Sequence, residues 1–407
     1  MLVSFSVIFV FIFFFEVQLK PNGKVFMLVF DGFIHNYKSY NISMPNLDKI
    51  ARDGVYSERM IPSFPSDTWP AMTTLTTGLY SESHGIIGNK FMDYKKNIWF
   101  SYDSDPKDYE KNGQFFTQEP LWLTNQKQGG SSLVYYMPGY YAFKEKPTYH
   151  NNPITSSNSD VETGRKSIDE AIKHLNEDPS LNFLQIWIDQ PDGAGHDNGK
   201  SSIEYKQSMN RLDSDVIGYA LEKLKDDVNF ILVADHGFID VKNDTNISYL
   251  EDYINLTYIT YYGDCSGSCF ISPVKGYPMD DLIKRLAPLN ETKHYRIYRR
   301  GDTSCDFPDH LHYRNNRNIA QILILSDETW LVRPSRKKYI KYGGRHGYDN
   351  AYESMGTIFF AKGPAFKKGA KLGPFESVNI VPLVGFLLGI KAPPNNGSLE
   401  TFKDVLH

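Results

Sequence analysis

Three stretches constrain the fold more than anything else in the chain. Residues 24–30 (KVFMLVF), 182–188 (NFLQIWI) and 229–234 (NFILVA) are short, mainly apolar runs, and each stops at an aspartate: Asp31, Asp189 and Asp235. Runs of this length without clean alternation read as strands buried on both faces. Helical patterns lie around 44–52, 159–176, 201–225 and 377–389. Further strands are expected at 132–136, 320–325 and 356–361. Strands alternating with helices imply an α/β fold with a central, mostly parallel sheet and helices on both faces. Ligands of such sheets gather at the carboxyl ends of the strands, where these aspartates fall. Residues 93–160 are poor in pattern and read as loops with few strands. Residues 240–330 read as surface loops or a small insert.

A second stretch, 61–89 (IPSFPSDTWPAMTTLTTGLYSESHGIIGN), reads as a proline-marked loop followed by a Thr-rich helix ending near Gly78. Pro70 suits a first helical turn, and Thr68 is then expected as the N-cap. A hydroxyl there meets free backbone N–H groups and the positive end of the helix dipole, a place to hold an alkoxide or a phosphate.

Four segments place acceptor side chains at strand ends or in glycine-rich loops: Asp31; Asp192 with His196; Asp235 with His236; and His346. Three carboxylates and three imidazoles suit zinc, and two ions more naturally than one. With Thr68 as an oxygen ligand the seven groups divide as three plus four. A pair of ions so held clamps an in-line displacement at phosphorus.

The net charge of −4 gives no reason to expect binding to a nucleic-acid duplex. Residues 1–15 (MLVSFSVIFVFIFFF) are short for a membrane span and fit a secretory signal peptide over 1–19, or an uncleaved signal anchor. Six N-x-S/T sequons, at Asn41, Asn243, Asn246, Asn255, Asn290 and Asn396, agree with an extracellular glycoprotein. Of three cysteines, Cys265, Cys269 and Cys305, two are expected to pair, with the pairing unread. The apolar segment 381–390 is too short for a C-terminal anchor and reads as a core helix. The organisation expected is a leader over 1–19, one domain over 22–395 and a tail over 396–407.

The segments FDGF (30–33), FPSDTWP (64–70), TGLYSESHGIIGN (77–89), PDGAGH (191–196), ADHG (234–237) and HGYDN (346–350) resemble the ectonucleotide pyrophosphatase/phosphodiesterase family of the alkaline phosphatase superfamily. The likeness spans residues 24–390 and fits the shorter members, which are little more than the catalytic domain. It implies an alkaline-phosphatase-like sheet and a covalent nucleophile at Thr68. One zinc would lie on Asp31, Thr68, Asp235 and His236, and a second on Asp192, His196 and His346. It further implies that Asn89 donates to a phosphate oxygen. The chain departs from the family pattern beside the nucleophile. Asp67 stands where Lys is frequent, and an acid there discourages anionic substrates. Trp69 stands where Phe or Tyr is common, and its ring would stack on a base or hold a quaternary ammonium group. Ala71 stands where Asn is common.

The leading expectation is a secreted zinc phosphodiesterase acting on a small nucleotide phosphodiester or pyrophosphate. The same zinc site on a choline or glycerol phosphodiester, or a lysophospholipid, is the second. A catalytically silent binding glycoprotein is the third, and loss of Thr68 or of a metal ligand would have favoured it.

Overall fold

The structure, a computed structural model, describes residues 23–101, 112–151, 161–241, 246–263, 265–337 and 343–407. The leader at 1–19 and the sequon at Asn243 lie outside the described residues.

The three acid-ended runs sit side by side in an eight-stranded sheet. From edge to edge its strands are Ala370–Leu372, Val55–Ser57, Phe359–Lys362, Val228–Ala234, Lys24–Asp31, Leu181–Pro191, Ser131–Tyr135 and Tyr149–His150. All are parallel except Phe359–Lys362, which runs against both neighbours. The unbroken apolar run is explained by alternation across two buried faces. Val25, Met27 and Val29 join one core with the helices Thr68–Thr77, Leu121–Lys127 and Ile380–Leu388. Phe26, Leu28 and Phe30 join the other, under Pro45–Asp53 and Val161–Glu177.

Register aligns the acids. Phe30 pairs with Ala234 on one side, and Asp31 pairs with Pro191 on the other, after a bulge. Asp31, Asp192 and Asp235 therefore crowd one rim, on strands about 4.8 Å apart.

Helix 201–225 is broken in character: Ile203–Arg211 and Tyr219–Lys223 are α, and Leu212–Gly218 between them is a π segment. The π segment places buried Asp213 against a neighbouring helix start, where it accepts from the N–H groups of Asn46 and Leu47 (both 3.0 Å).

The insert is a four-stranded antiparallel sheet, ordered Ile259–Tyr261, Ser268–Pro273, Ile322–Ser326 and Tyr295–Arg299. Helix Met279–Glu291 covers it, and Leu282, Leu286 and Ile324 share its own core. The expected strand at 320–325 thus belongs to the insert. Cys265 pairs with Cys269 and Cys305 is free. The end of the chain is no loose tail: Phe402, Val405 and Leu406 are buried in the first core. Asn41, Asn255, Asn290 and Asn396 are exposed and Asn246 is half-buried. Among the described residues no helix is long and apolar enough to cross a membrane.

Candidate active site

The Thr-rich helix starts one residue earlier than expected. Thr68 is its first helical residue, and Asp67 occupies the N-cap position in extended backbone without capping by its side chain. The N–H of Trp69 is taken instead by Asn89 Oδ1 at 2.9 Å. The threonines that follow explain themselves: Thr73, Thr76 and Thr77 donate back to the carbonyls of Trp69, Met72 and Thr73, so their buried hydroxyls are satisfied within the helix.

Thr68 Oγ1 lies 3.3 Å from His236 Nε2. The same nitrogen lies 3.3 Å from Asp31 Oδ1 and 3.4 Å from Asp235 Oδ2. His196 Nε2 stands 3.4 Å from Asp192 Oδ1 and 3.1 Å from His346 Nε2. The rings of His236 and His346 stack with centroids 3.8 Å apart. All seven residues singled out as metal ligands therefore meet in one place.

The protonation pattern shows what the cluster lacks. Each imidazole aims Nδ1 at a backbone carbonyl: His196 at Gly344, His236 at Gly237 and His346 at Ser66, at 3.0–3.1 Å. A carbonyl only accepts, so Nδ1 carries the proton and Nε2 turns a lone pair inward. Asp31 Oδ1, Asp192 Oδ1 and Asp235 Oδ2 are buried without any hydrogen-bond donor. Asp235 Oδ1, by contrast, accepts from the N–H groups of Gly32 and His236.

Burial raises Asp31 well above the usual carboxylate range, and the charges of Asp235, Asp192 and Asp189 add to it. Asp235 is pushed up to about 7, chiefly by burial. Burial holds His236 and His196 below the ordinary histidine value. Burial alone would lower His346 too, but the Asp67 carboxylate more than offsets it, and a proton there would answer the His196 pairing. The orphaned carboxylate oxygens remain. Buried acceptors with nothing to accept from are costly, and divalent cations satisfy them together with the inward lone pairs. A mixed set of nitrogen and oxygen donors fits that role.

Residues around the cluster hold it in shape. Asp67 Oδ1 is 3.1 Å from His346 Nδ1. Gly347 is required beside it: its φ is +80° and a Cβ would come within 2.9 Å of the same oxygen. Asp67, expected beside the substrate, thus also has its carboxylate set against His346. Asp67→Asn is expected to weaken metal binding by roughly 10- to 100-fold, the usual effect of removing an outer partner of a ligand. A competition titration with a chromogenic chelator checks it. The Phe238 ring lies 5.2–5.7 Å from all three imidazoles, an apolar floor that the DHGF segment did not advertise. Tyr205, donating to the Gly32 carbonyl at 2.7 Å, pins the turn after Asp31.

Trp69 departs from expectation. It is only 6% exposed and packs against Phe100 and Phe116, with centroids 5.8 and 6.1 Å apart. The ring is a wall of an aromatic core, and neither a base nor an ammonium group finds its face open. Trp69→Ala is expected to cost about 3–5 kcal/mol of stability, as buried aromatic deletions do. Denaturant unfolding measures it, and a raised KM at unchanged stability would return the ring to the substrate.

Beside the cluster a cavity of about 440 Å³ opens, lined by Asp67, Asn89, His196 and His346 and closed by Tyr262 and Phe270 of the insert. The insert's share in the site was not expected from its weak pattern.

Comparison with known proteins agrees with this geometry. The type I phosphodiesterase/nucleotide pyrophosphatase family model matches residues 25–349. A Xenopus laevis protein named bis(5'-adenosyl)-triphosphatase enpp4 is 31% identical over 95% of this chain and 82% of its own length. Ectonucleotide pyrophosphatase/phosphodiesterase family member 3 of Bos taurus is 31% identical over 95% of this chain, which spans only 45% of that protein. The structure of murine ectonucleotide pyrophosphatase/phosphodiesterase 5, inactivated by a threonine-to-alanine substitution and complexed with AMP, superposes with a TM-score of 0.86. It is 28% identical, and the match covers 95% of this chain and 100% of that one. With a matched family model over most of its length and the acid-rimmed sheet that the family motifs imply, the chain belongs to the type I phosphodiesterase/nucleotide pyrophosphatase family of hydrolases.

Proposed function

We propose that the chain is a secreted, zinc-dependent phosphodiesterase that cleaves nucleotide phosphodiester or pyrophosphate bonds through a covalent intermediate on Thr68. One observation carries the reading: orphaned carboxylate oxygens and inward imidazole nitrogens converge beside the Thr68 hydroxyl at a helix start. Asp31, Thr68, Asp235 and His236 would hold one zinc, and Asp192, His196 and His346 the other. Two bound zinc ions would acidify the threonine hydroxyl and neutralise charge on the phosphoryl oxygens.

Thr68 Oγ1 would give its proton to solvent water and attack phosphorus. The Oγ1–P bond forms as the bond from phosphorus to the leaving oxygen breaks. Water then attacks the phosphorus of the nucleotidyl-threonine, the bond from phosphorus to Thr68 Oγ1 breaks, and a proton from that water restores the hydroxyl. The helix start favours the negative charge that develops there. Asn89 spends its amide oxygen on the Trp69 N–H. Its NH₂ is left as the donor to a phosphoryl oxygen.

A nucleotide substrate is supported by the triphosphatase name of the Xenopus relative and by the AMP in the murine neighbour's complex. An open Trp69 face would have served a base or a quaternary ammonium group alike; that face is covered, so Trp69 favours neither substrate. A catalytically silent glycoprotein is disfavoured by the complete ligand set. The leader over 1–19, a catalytic domain over 22–395 and glycosylation at the sequons complete the proposal for an extracellular enzyme. The deciding assay sets a nitrophenyl nucleotide ester beside glycerophosphocholine, with zinc present. Turnover of the nucleotide ester alone is expected, and turnover of glycerophosphocholine alone would replace the reading.

Zinc affinity is expected to climb with pH. Asp31, Asp235 and His346 are all held above their ordinary values in the metal-free cluster, and each must shed its proton to ligate. Binding should therefore release protons and tighten as pH rises toward about 7. Calorimetry in buffers of different ionisation enthalpy counts the protons, and uptake in place of release would contradict the sign.

A further inference from the structure

His346 reaches the cluster by a different route from the other ligands. Asp31, Asp192 and Asp235 stand at the ends of central strands, with His196 and His236 close behind. His346 follows only a two-residue strand, Gly344–Arg345, and the chain turns left-handed at Gly347 straight after it. The insert fixes what comes next. Tyr348 is buried and donates to the Trp330 carbonyl at 3.0 Å. Gly267 of the insert lies so close to it that a Cβ there would come within 2.2 Å of the Tyr348 ring. Asp349 Oδ1 accepts from His310 Nε2 at 2.8 Å and from the Ala351 N–H at 2.9 Å. The Tyr352 hydroxyl accepts from Arg296 Nη2 at 2.6 Å, and Arg296 Nη1 donates to Asp327 at 2.7 Å. Tyr348, Asp349 and Tyr352 thus leave the rim for the insert. Asn350 between them donates to the Pro62 carbonyl, in the loop that leads to Thr68. The His310 side chain is 47% exposed, so its removal opens no core.

Resting on the metal site proposed above, we infer that the insert is the positioning element for the ion on Asp192, His196 and His346, with His310 and Arg296 as its positioning residues. Neither residue belongs to the cluster. His310 closes the turn at Asp349, and Arg296 anchors the far end of that turn at Tyr352. The backbone that carries His346 is thereby held in one setting. Ligand sets work only when their members are held within about 0.5 Å of the productive geometry. The central sheet gives that hold to Asp31, Asp235 and His236, and the insert gives it to His346. The insert also walls the cavity with Tyr262 and Phe270, so one element shapes both the cavity and the second ion's site.

The test titrates zinc against a chromogenic chelator in wild type, His310→Ala, His310→Gln, Tyr352→Phe and His346→Ala. His346→Ala marks the binding step that belongs to the second ion. Loss of a direct outer partner of a ligand weakens metal binding by about 10- to 100-fold. His310 acts one contact further out. His310→Ala should therefore weaken the marked step by roughly 3- to 10-fold and the other step by less than about twofold. Tyr352→Phe should act in the same way. His310→Gln should stay near wild type, because its amide replaces the Nε2–H donor. Added to His346→Ala, His310→Ala should leave the remaining step unchanged, as a double-mutant cycle through one site requires. Hydrogen exchange on the metal-free proteins reads the loop without zinc. Amides of residues 347–352 should exchange faster in His310→Ala, and those of Lys24–Asp31 should not. Zinc steps unchanged in both His310→Ala and Tyr352→Phe would overturn the inference. So would equal weakening of both steps, or a His310→Gln protein as weak as His310→Ala. Failure of wild type to bind zinc would strike the proposed function instead, and the exchange arm would still decide whether the insert holds the loop.

Discussion

Thr68→Ala is expected to reduce turnover by roughly 10⁴-fold or more, the scale on which loss of a covalent nucleophile acts. The fold should survive it. Thr68 is half-buried at the first position of its helix, and its hydroxyl approaches His236 and no core group. The carboxylates and imidazoles stay in place, so metal content should fall little. Thr68→Ser should keep part of the activity, because the hydroxyl remains while one methyl group is lost. Turnover of a nitrophenyl nucleotide ester, with metal analysis of the same samples, checks both. Near-wild-type rates in the alanine variant would remove Thr68 from the chemistry.

The second large effect concerns metal. Exhaustive chelation is expected to abolish activity, and zinc to restore it. His346→Ala should lose one ion and nearly all turnover. His346 meets His196 at 3.1 Å, stacks on His236 and is oriented by Ser66 and Asp67, so its removal opens the cluster at its centre. A ligand at 1,000 times its dissociation constant stabilises a fold by about 4 kcal/mol, so stripping the metal should also lower the melting temperature. Full activity after dialysis against EDTA would refute the assignment.

How much of this was legible follows from what each residue depends on. Asp31, Asp192 and Asp235 could be read because their strands announce themselves as unbroken apolar runs, and parallel strands in one sheet must end together. The Thr68 helix was legible as a helix but not in its start. Asp and Thr are both good caps, and Asp67 is drawn elsewhere by His346, a residue 279 positions away in the chain. Trp69 was misplaced for a like reason. Its partners Phe100 and Phe116 belong to a stretch without periodic pattern, so nothing in the sequence told an open ring from a packed one. The insert's sheet has short antiparallel strands among cysteines and sequons, a mixture that local pattern reads as loop.

The central claim is that phosphorus is passed to Thr68 between groups built to hold metal. Acid quenching of the zinc-loaded protein during turnover of a nucleotide ester, followed by peptide mapping by mass spectrometry, tests it most directly. The account predicts the nucleotidyl group on the peptide containing Thr68, absent from the Thr68→Ala protein and from metal-stripped protein. The same group found on another residue, or carried by the Thr68→Ala protein, would contradict it.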